Sequence, residues 1–403
     1  MNKKTTTLKE EALKELTGNI LPYWMNRMVD EVHGGFYGCI TGQEETMLDA
    51  EKGAVLNARI LWSFSAAYRI LRQKEYLAIA TRAKRYLIDS FYDTEYGGIY
   101  WSLDKDGKPL DTKKQIYAIG FAIYGLSEYH RATGDEEAKE YALRLFQSIE
   151  ERSFDREKNG YYEALTREWN EIADMRLSEK DANERKTMNT HLHILEPYTN
   201  LYRIWKDETL AGQLQNLIRL FIDKIRDKES SHLQLFFDDD WQSKYAIVSY
   251  GHDIEASWLL HEAALVLGDK ELLSEVQPIV CKIAEAASEG LLSGQGMAYE
   301  KRTDTGHTDT DFHWWVQAEA VVGYFNIYQH WGDKQVLDKA LEVWKFIKEH
   351  IVDSEHGEWF WSVRADGTVN HEDDKAGFWK CPYHNSRMCM EIVERCAEIP
   401  SKR

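Results

Sequence analysis

The sequence repeats one pattern six times, and this repeat limits the possible folds more than any other feature of the chain. Each copy contains a charged amphipathic helix, a short segment with aromatic residues and in most copies glycine, and a second helix with very few charges. The short segments lie at residues 30–37, 93–101, 155–162, 233–237, 294–299 and 353–361. A repeat of this length buries its apolar faces by stacking its units against one another.

Apolar residues at helical spacing place two helices in each copy. The first helices, which carry many charges and one apolar stripe, are predicted over residues 8–28, 76–91, 136–151, 210–225, 271–288 and 336–351. A stripe of this kind is typical of helices that face solvent. The second helices, which are apolar almost all round and should be buried, are predicted over 54–68, 115–129, 188–205, 314–331 and 383–397, with one more beginning at His252 after a strand or turn that Gly251 ends.

Six outer and six inner helices can be arranged in two ways. An open solenoid fits the period of the repeat, but six buried helices almost free of charge favour a closed, double-walled ring. Glycine in the intervening segments supplies the positive φ that tight turns need, so these segments are predicted as short β-hairpins. We therefore predict an all-α fold: an (α/α)₆ barrel with short β-hairpin loops at the active-site end, forming a single domain over residues 1–403.

The net charge narrows the possible partners, and the cysteines indicate the compartment. A net charge of −18 argues against binding to nucleic acid or to an anionic membrane surface. The five cysteines are few and scattered, as expected for reduced thiols in a cytoplasmic protein. Residues 1–10 are polar, and no apolar run is long enough to span a membrane. We expect a cytoplasmic protein that is a monomer or a weak homodimer.

In such a barrel all inner helices run in the same direction, so their first turns meet at one end beneath the hairpins. Polar and aromatic residues at these positions therefore face one pocket. They are Asn57, Arg59, Tyr117, Asn189, His191, His193, His252, Glu255, Trp314, Trp315, Glu319, His384, Asn385 and Arg387.

Several histidines and an arginine at one site are suited to proton transfer near neutral pH. Imidazole can act as an acid or a base in this range, and a guanidinium can stabilise an oxyanion that forms beside a carbonyl. Arg59 is the only charge within residues 54–68, and Glu319 is the only charge within residues 314–329. An isolated charge on a buried helix is costly unless it is paired or functional. A structural network of ion pairs is the alternative explanation.

Other readings remain open for individual residues. His252 and Glu255 lie on one helix face, and they can also belong to a simple capping turn. His191 and His193 cannot both face one point, so one of them should pack elsewhere. The sequence lacks the spacing of a metal site, and we expect neither a metal nor another cofactor. Glu255, Glu319 and Asp181 could instead serve a glycoside hydrolase, which needs two carboxylates.

Five motifs in order resemble the N-acylglucosamine 2-epimerase family, and within it the cellobiose 2-epimerases. They cover nearly the whole chain: LNARILW at residues 56–62, MNTHLH at 188–193, GHDIEASW at 251–258, HWWVQAE at 313–319 and FWKCPYHN at 378–385. The resemblance implies an (α/α)₆ barrel and epimerisation at C2 of a reducing-end sugar without a cofactor. The expected substrate is a β-1,4-linked disaccharide such as cellobiose, and lactose is a further candidate.

The resemblance also implies roles for particular residues. His252 and His384 would be the acid–base pair at C2, with Arg59 and His193 stabilising the enediolate and assisting ring opening. Further residues would contact the sugar: Tyr117, Asp181, Asn189, Glu255, Trp315, Glu319 and Trp379. An N-acylglucosamine 2-epimerase, an aldose–ketose isomerase, a glycoside hydrolase and a non-catalytic sugar-binding barrel are the alternative functions.

Overall fold

A computed structural model of the protein describes residues 3–399, and its helices alternate between an outer and an inner ring. In chain order the helices are α1 (Lys3–Glu15), α2 (Leu21–Arg27), α3 (Ala54–Leu71), α4 (Lys74–Tyr86), α5 (Ile116–Thr133), α6 (Glu136–Arg152), α7 (Met188–Ile204), α8 (Glu208–Leu220), α9 (Tyr250–Leu267), α10 (Lys270–Ala287), α11 (Trp314–Trp331), α12 (Lys334–Phe346) and α13 (Tyr383–Glu398). A π-helical turn joins α1 to α2, and together they form the first outer helix. The odd-numbered helices from α3 to α13 form the inner ring.

Burial separates the two rings as the sequence predicts. In α5 every residue from Ile116 to Tyr129 is buried, whereas α8 buries mainly the stripe that contains Leu210, Leu214 and Leu217. This spacing places an apolar stripe on one side of an otherwise polar helix. Each inner helix packs against the next, and α13 packs against α3, so the ring closes. The predicted (α/α)₆ barrel is confirmed.

Short turns make the inner helices parallel to one another. Helix α9 ends at Gly268, whose φ of +81° is the left-handed conformation that closes a helix. The next residue, Asp269, caps α10 by accepting hydrogen bonds from the backbone N–H groups of Glu271 and Leu272. The same Gly-Asp pair occurs at 134–135 and 332–333. Because each turn reverses the chain at once, all inner helices begin at the same end of the barrel.

Short strands join neighbouring repeats at that end. They are β1 (Lys52–Gly53), β2 (Ser102–Leu103), β3 (Pro109–Asp111), β4 (Lys114–Gln115), β5 (Ala164–Leu165), β6 (Lys186–Thr187), β7 (Phe236–Phe237), β8 (Ile247–Ser249), β9 (Glu300–Arg302), β10 (Thr308–Asp309), β11 (Phe312–His313) and β12 (Ser362–Val363). The strand before an inner helix pairs antiparallel with the strand after the next hairpin, as in β1–β2, β4–β5, β6–β7, β8–β9 and β11–β12. A bridge between Ile40 and Ala376 joins the first repeat to the last.

Buried aspartate–lysine pairs anchor several hairpins, and the sequence analysis did not predict them. Asp93 accepts two backbone hydrogen bonds in its own hairpin, and its second oxygen accepts from Nζ of Lys114 at 2.8 Å. The indole of Trp169 lies against Gly98 beside this pair, so close that a Cβ at Gly98 would be 2.8 Å from the ring. The same arrangement of acid and lysine occurs in Asp30–Lys52 and Asp155–Lys186. These pairs fix the loops above the inner-helix starts.

The start of α9 differs from the prediction. The helix begins at Tyr250, two residues before His252, and strand β8 ends at Ser249. Gly251 therefore lies inside the first helical turn, and it does not end the strand as predicted. The reason is close packing against α11: a Cβ at Gly251 would lie 2.6 Å from the Trp315 ring. Here glycine provides space, not a turn.

Two further expectations concern the chain as a whole. Among the helices within residues 3–399, none is long and apolar enough to cross a membrane. All five cysteines are unpaired. The predicted domain also includes residues 1, 2 and 400–403, which lie outside the described range.

Candidate active site

Two histidines contact the ring of Trp315 at the mouth of the barrel. The ring centroid of Trp315 is 4.8 Å from that of His252 and 5.5 Å from that of His384. His252 shares a hydrogen bond of 2.8 Å between its Nδ1 and Oγ of Ser249. His384 shares a hydrogen bond of 2.7 Å between its Nδ1 and Glu319. In both rings the Nδ1 atom is held by the protein, so Nε2 is the atom that can face a substrate.

The surroundings keep both imidazoles neutral. Burial, with a smaller contribution from the neighbouring His193, lowers the pKa of His252 to about 3. Burial also lowers the pKa of His384 well below its usual value, with the positive charges of Arg59 and Arg387 as additional causes. Each ring is therefore available as a base near neutral pH.

A cluster of three carboxylates surrounds Arg387 directly beneath His384. One guanidinium nitrogen, Nη2, donates to Glu255 and to Glu319 at 2.6 Å each, and Nη1 donates to Glu196. Glu319 also accepts from Nε1 of Trp258 at 2.9 Å. Arg387 and the three acids are at most 3% exposed. The cluster thus connects α7, α9, α11 and α13 at the floor of the pocket.

Arg59 supplies a fixed positive charge on the opposite side of the pocket. Its Nη2 donates to the Tyr117 hydroxyl at 2.7 Å. The guanidinium lies 4.2 Å from the centre of the Phe121 ring and 4.7 Å from that of Tyr383. Contacts of this kind hold a cation in place without neutralising it. Arg59 can therefore stabilise a negative charge that develops on a substrate.

The structure separates the two histidines of α7. His193 lies in the pocket, where its ring is 5.0 Å from that of Tyr117 and its Nδ1 is 3.1 Å from Glu196. His191 faces the outer wall, where its Nε2 accepts from the backbone N–H of Tyr161 at 2.9 Å. One histidine thus serves the pocket and the other the packing, as the spacing of two residues predicts.

Three other predicted residues lie around the mouth. Trp379 is half-buried, with its ring 6.0 Å from Tyr117. The amide oxygen of Asn189 is buried and accepts no hydrogen bond from the described residues. Asp181 accepts from the N–H and the hydroxyl of Ser178 at 2.9 Å each. It lies in the loop after β5, and no direct contact joins it to the other predicted residues within the described range. Burial raises the pKa of Glu300 to about 7, and the negative charges of Asp309 and then Asp181 contribute to this shift.

Sequence reasoning missed Glu196 and gave Arg387 no role. Glu196 holds His193 and accepts from the Tyr383 hydroxyl, and Arg387 holds all three acids. A signal for Glu196 was present, because it is the only acidic residue in α7. Glu319 was expected to contact the sugar. In the structure it holds His384, Arg387 and Trp258.

Within residues 3–399, two groups of acids and histidines have the spacing of metal ligands. A positively charged protein side chain binds the acids of each group. Glu255, Glu319 and His384 place their ligand atoms within 4.8 Å of one another, and Arg387 lies between the two acids. Glu44, Asp353 and His356 form the second group. There Nζ of Lys375 is 3.0 Å from Glu44 and also contacts Asp353. In both groups a protein cation already offsets part of the carboxylate charge.

We expect the substitution Gly251→Ala to lower activity by moving Trp315. The new Cβ would lie 2.6 Å from the indole and 2.7 Å from Val316, so the ring between the two histidines must shift. Overpacking of this kind costs about 1–3 kcal/mol of folding stability. Steady-state kinetics and thermal unfolding measure the two effects.

Gly212→Ala is the matched control for this variant. Gly212 lies in α8, and a Cβ there would meet nothing within 4 Å. Alanine at an open helix position should stabilise the protein by about 1 kcal/mol and leave activity unchanged. Equal activity of both variants would mean that the position of Trp315 does not matter for the reaction.

Comparisons with known proteins agree with this geometry. A family model described as N-acylglucosamine 2-epimerase (GlcNAc 2-epimerase) matches residues 35–387. The cellobiose 2-epimerase of Bacteroides fragilis is 71% identical over 386 residues, which cover 96% of this chain and 98% of that protein. The cellobiose 2-epimerase of Ruminococcus albus is 42% identical, with coverage of 96% and 99%.

A solved structure extends the agreement to three dimensions. The cellobiose 2-epimerase from Bacillus thermoamylovorans B4167 superposes with a TM-score of 0.93 at 43% sequence identity, covering 97% of this chain and 100% of that one. The resemblance in the five sequence motifs is confirmed. The chain belongs to the N-acylglucosamine 2-epimerase family.

Proposed function

We propose that the protein is a cellobiose 2-epimerase that needs no metal or other cofactor. It converts the reducing-end glucose of cellobiose to mannose, giving 4-O-β-D-glucosyl-D-mannose, and it also converts lactose to epilactose. The observation that carries the proposal is the pair of neutral imidazoles that both contact Trp315 in the pocket. The likeness to the Bacteroides fragilis epimerase supports the choice of substrate.

Inversion at C2 needs a base on one face of the carbon and an acid on the other. In the proposed reaction the sugar ring opens to the aldehyde, which acidifies the C2 proton. One of His252 and His384 removes this proton, and a cis-enediolate forms. The intermediate turns, and the other histidine delivers a proton to the opposite face. Because both rings are held through Nδ1, each presents Nε2 to the carbon.

Arg59 and His193 stabilise the intermediate and assist the opening of the ring. The guanidinium of Arg59 is fixed by three aromatic side chains, so it stabilises the enediolate oxygen without having to move. His193 exchanges a proton with a sugar oxygen, and Glu196 orients it through Nδ1. Sugar contacts fall to Trp315 and Trp379, whose flat rings suit the C–H faces of pyranoses, and to Tyr117, Asn189 and Asp181.

The placement of the carboxylates argues against a glycoside hydrolase. A hydrolase needs two carboxyl groups on opposite sides of the scissile bond, about 5–9.5 Å apart. Glu255 and Glu319 instead bind the same nitrogen of Arg387 at 2.6 Å each, and both are fully buried. No sugar fits between them. Asp181 lies in a separate loop and is paired with Ser178.

Incubation with four sugars tests the proposal. The purified protein is given cellobiose, lactose, glucose or N-acetylglucosamine, with and without a chelator, and the products are separated by chromatography. We expect glucosylmannose from cellobiose and epilactose from lactose, at rates that the chelator does not change. N-acetylmannosamine as the main product would assign the chain to the N-acylglucosamine branch. A ketose would indicate an isomerase, free glucose a hydrolase, and an unchanged sugar a binding protein.

A further inference from the structure

The environment of His384 conflicts with its role as an acid. In one direction of the proposed reaction this histidine must give a proton to C2, yet burial and two nearby guanidinium groups disfavour an imidazolium. A proton must therefore be stored close to His384 in a group other than its own ring. The carboxylates beneath it are the groups in contact with its Nδ1 side.

The buried charges around His384 balance only if one proton is added. Glu196, Glu255 and Glu319 would carry three negative charges, and Arg59 and Arg387 carry two positive ones. The other titratable groups that face the cluster include neutral histidines, tyrosines and a thiol: His193, His252, Tyr117, Tyr124, Tyr383 and Cys381. An uncompensated charge is costly in a buried site, so the cluster favours taking up one proton.

Hydrogen-bond donors indicate which acids hold this proton. Glu196 accepts from Tyr383 and Arg387 and shares a hydrogen bond with His193, while Glu319 accepts from Trp258 and Arg387 and shares one with His384.

Glu255 accepts only from Arg387, and its Oε2 is buried without a partner among the described residues. A carboxylate with so few donors is the least stable as an anion. Burial, followed by the charge of Glu319, raises the pKa of Glu255 well above its ordinary value.

We propose that Glu255 and Glu319 together hold one proton in the resting enzyme, and that this proton replaces the one His384 gives to C2. Before the transfer, the neutral ring of His384 carries its hydrogen on Nε2, and its Nδ1 accepts a hydrogen bond from the proton that the two acids share. As the Nε2–H bond breaks and the C2–H bond forms, the shared proton moves to Nδ1. The ring stays neutral and both carboxylates become anions. In the reverse direction each proton moves back.

The geometry allows this transfer. Nδ1 of His384 is 2.7 Å from Glu319 and 3.9 Å from Glu255, and the ligand atoms of all three lie within 4.8 Å of one another. Both acids bind Nη2 of Arg387 at 2.6 Å, so their negative charge is shared. Glu255 is thus a positioning and proton-storing residue that acts through His384. This inference rests on the proposed epimerase function.

Glu255→Gln tests the inference, because glutamine keeps the acceptor for Arg387 but cannot store a proton. Cellobiose and its C2 epimer are each incubated in heavy water, and deuterium at C2 is measured in the recovered sugar and in the product. We expect conversion to fall about 10²-fold. One of the two epimers is deprotonated at C2 by His252. For that epimer, deuterium should still enter C2 of the recovered starting sugar, because in the variant the enediolate can regain a proton only from His252. The ratio of exchange to conversion should therefore rise.

Glu262→Gln is the matched control. Glu262 lies on the same helix two turns further along and pairs with Arg203 at the other end of the barrel, so neither rate nor ratio should change.

If Glu255→Gln does not fold, Glu319→Gln removes the other half of the shared site and must raise the ratio of exchange to conversion in the same way. A folded variant whose exchange-to-conversion ratio equals that of the unaltered protein overturns the inference. Failure of the unaltered protein to label its product would instead overturn the proposed function.

Discussion

Replacing His384 with alanine is expected to lower the rate of epimerisation by about 10²–10⁴-fold while the fold survives. The imidazole connects the floor cluster to the pocket through the hydrogen bond between its Nδ1 and Glu319. Its loss removes the acid or base from one face of C2, and alanine cannot replace it. Steady-state rates with cellobiose, together with thermal unfolding, measure the effect.

The histidine at position 330 offers a control for this variant. His330 lies in α11 at the opposite end of the barrel and is partly exposed. His330→Ala should leave the rate with cellobiose unchanged. If His384→Ala kept its kcat and raised only KM, His384 would be a sugar-binding residue, and the acid–base role would be wrong.

Replacing Arg387 with methionine is expected to cause the largest loss of stability, about 3–5 kcal/mol. Arg387 is fully buried and binds three carboxylates that are themselves buried. Without the guanidinium these acids are left with uncompensated charge. The deficit should shrink as the pH falls, because protonation discharges the acids. Urea unfolding at several pH values measures both the loss and its pH dependence.

Arg144→Met shows what an exposed arginine contributes. Arg144 is on the solvent side of α6 and pairs only with Glu140, four residues earlier. Exposed pairs of this kind contribute little, so stability should change by less than about 1 kcal/mol. An equally small effect of Arg387→Met would contradict the view that the three acids depend on its charge.

The repeat made the barrel and the position of the pocket predictable from sequence. Charged and uncharged helices alternate with a regular period, and short turns between them make every inner helix begin at the same end. Hence Arg59, His193, His252 and His384 could be assigned to one pocket before any coordinates were known. Local pattern sufficed because burial of one helix type against the other determines the architecture.

The partners of each residue were not predictable, because they depend on contacts between distant parts of the chain. Glu196 pairs with Arg387, which lies 191 residues further along. The start of α9 was misplaced for the same reason: the role of Gly251 is set by Trp315 on another helix, and local turn rules do not contain that information. Asp93 and Lys114 likewise have no sequence signature that separates them from surface charges.

Deuterium incorporation from solvent tests the account most directly. Cellobiose is converted in heavy water by the unaltered protein, and the isolated glucosylmannose is analysed for deuterium at each carbon. Transfer through a histidine that exchanges with solvent predicts one deuterium at C2 of the reducing-end mannose and none elsewhere on carbon. A product that carries no deuterium at C2 would contradict proton transfer between His252, C2 and His384.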